Sequence, residues 1–281
     1  MTRIGNAAKF MGLMMAIAIL LGACAKEKIE NVLDLREDYT LTTIGSAGVS
    51  GTIAFKKETN GTRIAINLVG ADPASTYTAA LFQRTVVAPG PLAISLGSIP
   101  GNTGKLDTLI QKLDNGVAIS FTELVNFDGH INIRESGEAG KNVAQADIGS
   151  NVFTGKSRTY ALDTVHSSGI KGTLTLQERK NNNTLATLTL NGINTTTGVL
   201  STYPAGIYTG KAADTIGTIA ITLGDVDPAT GKLVKNITVK DDSTALKFSD
   251  LVTFDGHVSV QEKSTLGSIV VAQGNIGQHA P

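Results

Sequence analysis

Phe121-Thr122-Glu123-Leu124-Val125-Asn126-Phe127-Asp128-Gly129-His130 is answered, about 127 residues further on, by Phe248-Ser249-Asp250-Leu251-Val252-Thr253-Phe254-Asp255-Gly256-His257. One decapeptide is written twice, and the likeness runs outward in both directions. Upstream, Gly48-Val49-Ser50-Gly51-Thr52-Ile53 returns as Gly169-Ile170-Lys171-Gly172-Thr173-Leu174, and Ala93-Ile94-Ser95-Leu96-Gly97 as Ala220-Ile221-Thr222-Leu223-Gly224. Downstream, Val143-Ala144-Gln145 with Ile148-Gly149 returns as Val271-Ala272-Gln273 with Ile276-Gly277. The offset drifts between the matched blocks, where turns absorb insertions. The chain is a tandem duplication of a unit of about 115 residues, the size of one independently folding domain.

The match fixes a domain plan. Copy one takes residues 36–149, a linker rich in Gly, Ser and Asn takes residues 150–157, and copy two takes residues 158–281. Within the copies, Ile64, Ile66 and Leu68 enclose Ala65 and Asn67, and Leu188 and Leu190 flank Thr189. A period of two puts one set on a buried face and the other in water, as in a half-buried strand. Asn60-Gly61, Asn115-Gly116 and Asp128-Gly129 supply the positive φ that tight turns require. Seven or eight short antiparallel strands per copy predict an all-β protein of two β-sandwiches in tandem. Thr, Val and Ile in quantity, 31 Gly and no Trp agree with that class. One helical turn is expected at Thr122-Glu123-Leu124 and at Ser249-Asp250-Leu251, where a hydroxyl can cap the first amides.

The N-terminus has another logic. Arg3 and Lys9 precede an apolar run from Phe10 to Leu21, which ends in Leu21-Gly22-Ala23-Cys24. Positive charge, a short apolar core and small residues before a cut point are the parts of an export signal. The run is shorter than the roughly 20 apolar residues of a spanning helix, and the chain turns polar at Lys26-Glu27-Lys28. Leu-Gly-Ala-Cys resembles the lipobox of bacterial lipoproteins. That resemblance implies a signal peptide over residues 1–23, diacylglyceryl and further acyl (palmitate-type) lipidation at Cys24, and a charged spacer over residues 24–35. Each buried methylene contributes about 0.8 kcal/mol, so one acyl chain holds marginally while two or three anchor stably. Ala25, in place of aspartate, resembles the rule that releases lipoproteins to the bacterial outer membrane. Lys26-Glu27-Lys28 resembles the charged surface-export tag of Bacteroidota lipoproteins. The expected location is the outer membrane, by a lipid anchor, on its periplasmic or exterior face.

Net charge is zero and charged residues are 17% of the chain, so no basic face exists to gather phosphates, and nucleic acid is excluded as an expected partner. The sole cysteine, Cys24, is committed to lipid, which leaves no disulfide and no cysteine nucleophile. The four histidines are His130, His166, His257 and His279. His130 and His257 are equivalents in separate copies, and each reads as a polar residue packed beside Asp-Gly. Gly101-Asn102-Thr103-Gly104-Lys105 lacks the spacing and the hydroxyl of a phosphate loop and reads as a hairpin turn. Asp225, Asp227, Asp241 and Asp242 offer oxygen ligands, but the twelve-residue calcium pattern is absent, so they read as turn carboxylates. The acids that recur in both copies are few, mainly Asp128 with Asp255, read as turn residues, and Glu123 with Asp250, read as part of a capped turn. Asp107-Thr108-Leu109, Asp163-Thr164-Val165, Asp214-Thr215-Ile216 and Asp242-Ser243-Thr244 fit a short pattern resembling bacterial O-glycosylation acceptors. No catalytic residue, metal ligand or cofactor site is expected.

The repeated unit resembles the CHRD (chordin-type) domain, a β-sandwich of immunoglobulin-like or superoxide-dismutase-like shape. The likeness is carried by the early Gly-x-x-Gly strand, by Tyr77-Thr78-Ala79-Ala80-Leu81-Phe82-Gln83 with Ala88-Pro89-Gly90-Pro91, and by Asp128-Gly129-His130-Ile131-Asn132-Ile133-Arg134. Where the family carries a histidine pair, copy one has Leu81 and Gln83 and copy two has Gly206 and Tyr208. Where its last motif ends in histidine, this chain has Arg134 and Gln261. The resemblance therefore implies a sandwich stripped of the imidazoles that hold copper or zinc. The expected function is a lipid-anchored, non-catalytic binding, adhesion or structural protein of the cell envelope, with an envelope protein or glycan as partner. The alternative is a degenerate metal-dependent or carbohydrate-active enzyme.

Overall fold

A computed structural model describes residues 35–137, 140–193, 201–212, 217–265 and 267–280. Cys24 and the signal peptide lie outside the described residues. In copy one the strands are β1 (Arg36–Thr43), β2 (Ser50–Glu58), β3 (Gly61–Val69), β4 (Thr76–Gln83), β5 (Leu92–Pro100), β6 (Lys105–Ile110), β7 (Asp128–Glu135) and β8 (Asn142–Gly149). In copy two they are β9 (Phe153–Thr164), β10 (Lys171–Arg179), β11 (Thr184–Asn191), β12 (Pro204–Thr209), β13 (Ile219–Asp225), β14 (Lys232–Ile237), β15 (Asp255–Ser264) and β16 (Gly267–Gly277).

The two sets form two antiparallel sheets of eight strands with the same order. The first runs β5-β4-β7-β8-β1-β2-β3-β6 and the second β13-β12-β15-β16-β9-β10-β11-β14. Each folds over into a flattened barrel because one strand serves both layers. Arg36 to Leu41 of β1 pair with β2, while Thr42 and Thr43 pair with β8, and β9 divides itself between β10 and β16 in the same way. Connections from β3 to β4 and from β6 to β7 pass between the layers, giving Greek-key topology.

Alternation along the strands fills each barrel. Ile53, Phe55, Ile64, Ile66, Leu81, Ile131 and Ile133 form the centre of one core, and Leu174, Leu176, Leu188, Ile207, Val258 and Val260 that of the other. Burying such a side chain contributes about 1.5–3 kcal/mol, so a packed centre in each copy stabilises the fold without a cross-link.

Three local expectations are corrected. Residues 150–157 are not a free linker: Gly149 turns the chain with φ +60, and residues from Phe153 onward already belong to β9, paired with β10. The turn at Gly101–Lys105 is tight but not a hairpin, since β5 and β6 stand at opposite ends of the strand order. The helical turn Phe121–Leu124 is capped one residue before its start, by Ser120 rather than Thr122. Ser120 accepts from the Glu123 amide, while the Glu123 carboxylate accepts from the Ser120 amide at 2.7 Å. The Ser120 amide first, and then the Ser120 hydroxyl at 2.7 Å, donate to the Glu123 carboxylate and hold it below the usual range. In copy two, over Phe248–Leu251, Asp250 accepts from the Lys247 amide at 2.9 Å.

Candidate functional site

The decapeptide that reveals the duplication opens β7 and β15, and their outward residues define the site. On copy one the rows read Asp147, His130, Phe82 and then Gln145, Asn132, Ala80, with Arg134 opposite Thr78. On copy two the same rows read Asn275, His257, Tyr208 and Gln273, Ser259, Gly206.

This register corrects the pairing drawn from sequence. Leu81 is fully buried in the core, so the outward mates of Gly206 and Tyr208 are Ala80 and Phe82, not Leu81 and Gln83. Neither copy then offers more than one imidazole on this face, and no group of three His, Cys, Asp or Glu able to hold a metal occurs among the described residues. The described side chains on this face do not fit a copper or zinc centre.

His130 is 1% exposed, as is His257. His130 Nδ1 lies 2.8 Å from the Arg84 carbonyl and His257 Nδ1 lies 2.8 Å from the Gly210 carbonyl. A carbonyl only accepts, so each Nδ1 carries hydrogen. In copy one the other ring nitrogen, Nε2, lies 3.4 Å from Asn132 Nδ2. The rings stack on Phe82 and Tyr208, with centroids 5.5 and 5.6 Å apart. Both histidines thus clamp the loop that follows the neighbouring strand.

The recurring acids also act structurally. Asp128 accepts from Asn151 Nδ2 at 2.8 Å, and Asp255 lies 2.6 Å from His279 Nε2. These aspartates are first residues of strands that hold the turn after β8 or β16, rather than turn residues themselves. Asp227 accepts from the Ala229 amide and the Thr230 hydroxyl, both at 2.9 Å. Asp241 accepts from the Thr222 amide and hydroxyl, as Asp114 does from Ser95. Hydrogen bonds from Thr244, its hydroxyl first, hold the Asp242 carboxyl below the usual range. His166 Nδ1 lies 3.3 Å from the Val270 carbonyl.

Over the copy-one rows lies a groove of about 590 Å³. Thr78, Phe82, Asn132 and Arg134 line its floor, Leu92 and Ser95 of β5 one side, and Pro89 and Gly90 a wall. Asn142 and Gly140, whose carbonyl accepts from Arg134 Nε, close the far end. Asn132 Oδ1 has no hydrogen-bond partner. No family model matches this chain, and no curated protein matches it at a significant level.

Copy two treats the corresponding place differently. Ile219 and Tyr208 crowd over Gly206, where a Cβ would come within 2.9 and 3.2 Å of their side chains. Its own residues occupy the space that copy one leaves open above Ala80. Sequence reasoning passed over the groove because its residues are ordinary outward positions of strands. The sequence shows only Asn132 and Arg134 alternating with Ile131 and Ile133, which marks a strand face and not a groove.

Proposed function

We propose that the chain is a lipid-anchored protein of the bacterial outer membrane, two CHRD-like barrels in tandem, that holds a neutral saccharide in the copy-one groove without cleaving it. The observation that carries the reading is the groove's lining: amide and hydroxyl groups on Asn132, Asn142, Thr78 and Ser95 beside the carbon surfaces of Phe82, Pro89 and Leu92. Saccharides present hydroxyl edges and C–H faces, which such a mixture matches. Glycosidic hydrolysis uses two facing carboxylates, and none of the described lining residues carries one, which favours holding over cleaving. The anchor rests on Leu21-Gly22-Ala23-Cys24.

A glycan array of neutral and acidic oligosaccharides, probed with the full chain in detergent, tests the reading. Neutral sugars are expected to bind, and Asn132→Ala to weaken them about tenfold, or 1.4 kcal/mol. Ser259→Ala in copy two is expected to change nothing. Binding confined to acidic sugars, or indifferent to Asn132→Ala, refutes the groove. For the anchor, Cys24→Ser is expected to abolish palmitate labelling and release the protein from the membrane fraction.

A further inference from the structure

The groove wall of copy one is tied to copy two. Residues 84–91 connect β4 to β5 and supply Pro89 and Gly90 to the groove. At its far end the loop is tied to β4, the Gly90 amide donating to the Gln83 carbonyl at 2.8 Å and the Pro91 carbonyl accepting from the Gln83 amide at 2.9 Å. At its near end the Arg84 amide donates to the Asp128 carbonyl at 2.8 Å, the Arg84 carbonyl accepts from His130 Nδ1, and the Val86 amide donates to Asp147 Oδ1 at 2.9 Å. The other oxygen of Asp147 accepts from Arg179 Nη1 at 2.7 Å. Arg179 belongs to β10, in copy two, and is fully buried. Its Nη1 also donates to the Asn151 carbonyl, its Nε to Asn236 Oδ1 at 2.9 Å, and its guanidinium carbon sits 4.8 Å above the Phe153 ring.

The duplication supplies an internal control. In copy two the place of Asp147 is taken by Asn275, whose Oδ1 accepts from the Ala212 amide at 2.9 Å. An amide oxygen therefore suffices to fasten this loop. Copy one carries a carboxylate there, and the second oxygen it provides is the one that meets Arg179. A buried cation demands such a partner, because leaving either charge unpaired in the interior is strongly unfavourable.

We infer that Arg179 is a positioning residue for the copy-one groove: through Asp147 and the Val86 amide, copy two sets the loop that walls the binding site in copy one. Ligand affinity in one barrel then depends on a side chain of the other. The consequence for binding rests on the saccharide reading above, whereas the mechanical link does not.

Hydrogen exchange by mass spectrometry on the full chain in detergent separates the two. Arg179→Met is expected to speed exchange in residues 84–91 about tenfold, with residues 50–69 on the far layer unchanged. Asp147→Ala should do the same, and the double variant should open the loop no further than either single change. Asn181→Ala, which removes the 3.0 Å bond to Asn151 Oδ1 but leaves Asp147 alone, should leave the loop at its wild-type rate. If Arg179→Met does not fold, Arg179→Gln, which keeps hydrogen bonding and loses charge, is expected to speed the loop about threefold. Unchanged loop exchange in a folded variant overturns the inference, as does uniform acceleration across copy one or an equal effect from Asn181→Ala. Neutral-sugar affinity measured on the same variants should fall with loop opening. A wild-type protein that binds no sugar refutes the saccharide reading, while the exchange result alone decides the brace.

Discussion

At the scale of single residues, the duplication lets each copy serve as a control for the other, and Arg84 shows how. It sits at φ +61, in the left-handed region, where its mate Gly210 has φ +78. A side chain there costs about 1–2 kcal/mol through Cβ crowding. Glycine removes that strain but adds back chain entropy of about 0.5–1 kcal/mol. The same carbonyl accepts from the histidine in both copies, so the strained conformation is imposed by the clamp and not chosen by arginine. Arg84→Gly, the copy-two residue, is therefore expected to stabilise the protein by about 0.5 kcal/mol with the His130 contact retained. Urea denaturation measures it. A loss of stability would mean that the exposed Arg84 side chain contributes more than its backbone strain removes.

At the scale of elements, β9 carries the clearest departure from what the sequence predicts. Its first residues, 153–157, look like linker because Gly, Ser and Thr dominate them, and composition alone cannot register a partner. The partner is the end of β10, where Glu178 accepts from the Thr154 hydroxyl at 2.7 Å and meets Lys156 Nζ at 3.1 Å. Those contacts, Thr154 first, hold the Glu178 carboxyl below its ordinary value of 4.5. A carboxylate with a depressed folded value contributes stability above its unfolded value and loses it as pH falls through the folded one. The stability advantage of wild type over Glu178→Gln is thus expected to be full at neutral pH, to shrink below about pH 4.5 and to vanish in strong acid. Chemical denaturation at stepped pH tests this, and parallel curves for the two proteins would contradict it. By contrast β3, β7, β11 and their mates were legible, since Ile64, Ile66, Leu188 and Leu190 alternate with polar residues and need no knowledge of neighbours. The groove was not legible for the opposite reason: it is made of outward positions, and only cross-strand register tells that Phe82, rather than Gln83, stands beside His130.

At the scale of the molecule, the question is whether two barrels with separate cores behave as two domains or one. The described body from Arg36 onward forms a single compact unit, and the reason lies in the turn between β10 and β11. The Lys180 and Asn181 amides donate to the Val152 and Ser150 carbonyls, both at 2.9 Å, and Asn181 Nδ2 donates to Asn151 Oδ1. Asn151, itself fully buried, passes the contact to Asp128 and the Gly129 carbonyl. Copy two therefore grips the turn after β8 at the base of the decapeptide that starts β7. With Arg179 paired to Asp147, the junction is a connected polar network in which Arg179 Nη2 is left without a hydrogen-bond partner, and Asn151 is the buried member bonded to both copies. Thermal unfolding of the full chain is accordingly expected as one cooperative transition, with calorimetric and van't Hoff enthalpies equal. Asn151→Ala strips a buried side chain from both copies at once, so its scan is expected to separate into two transitions, each barrel melting on its own core. Two transitions already present in wild type would show that the junction orders the barrels without coupling their stability, and an unsplit Asn151→Ala transition would place the coupling elsewhere.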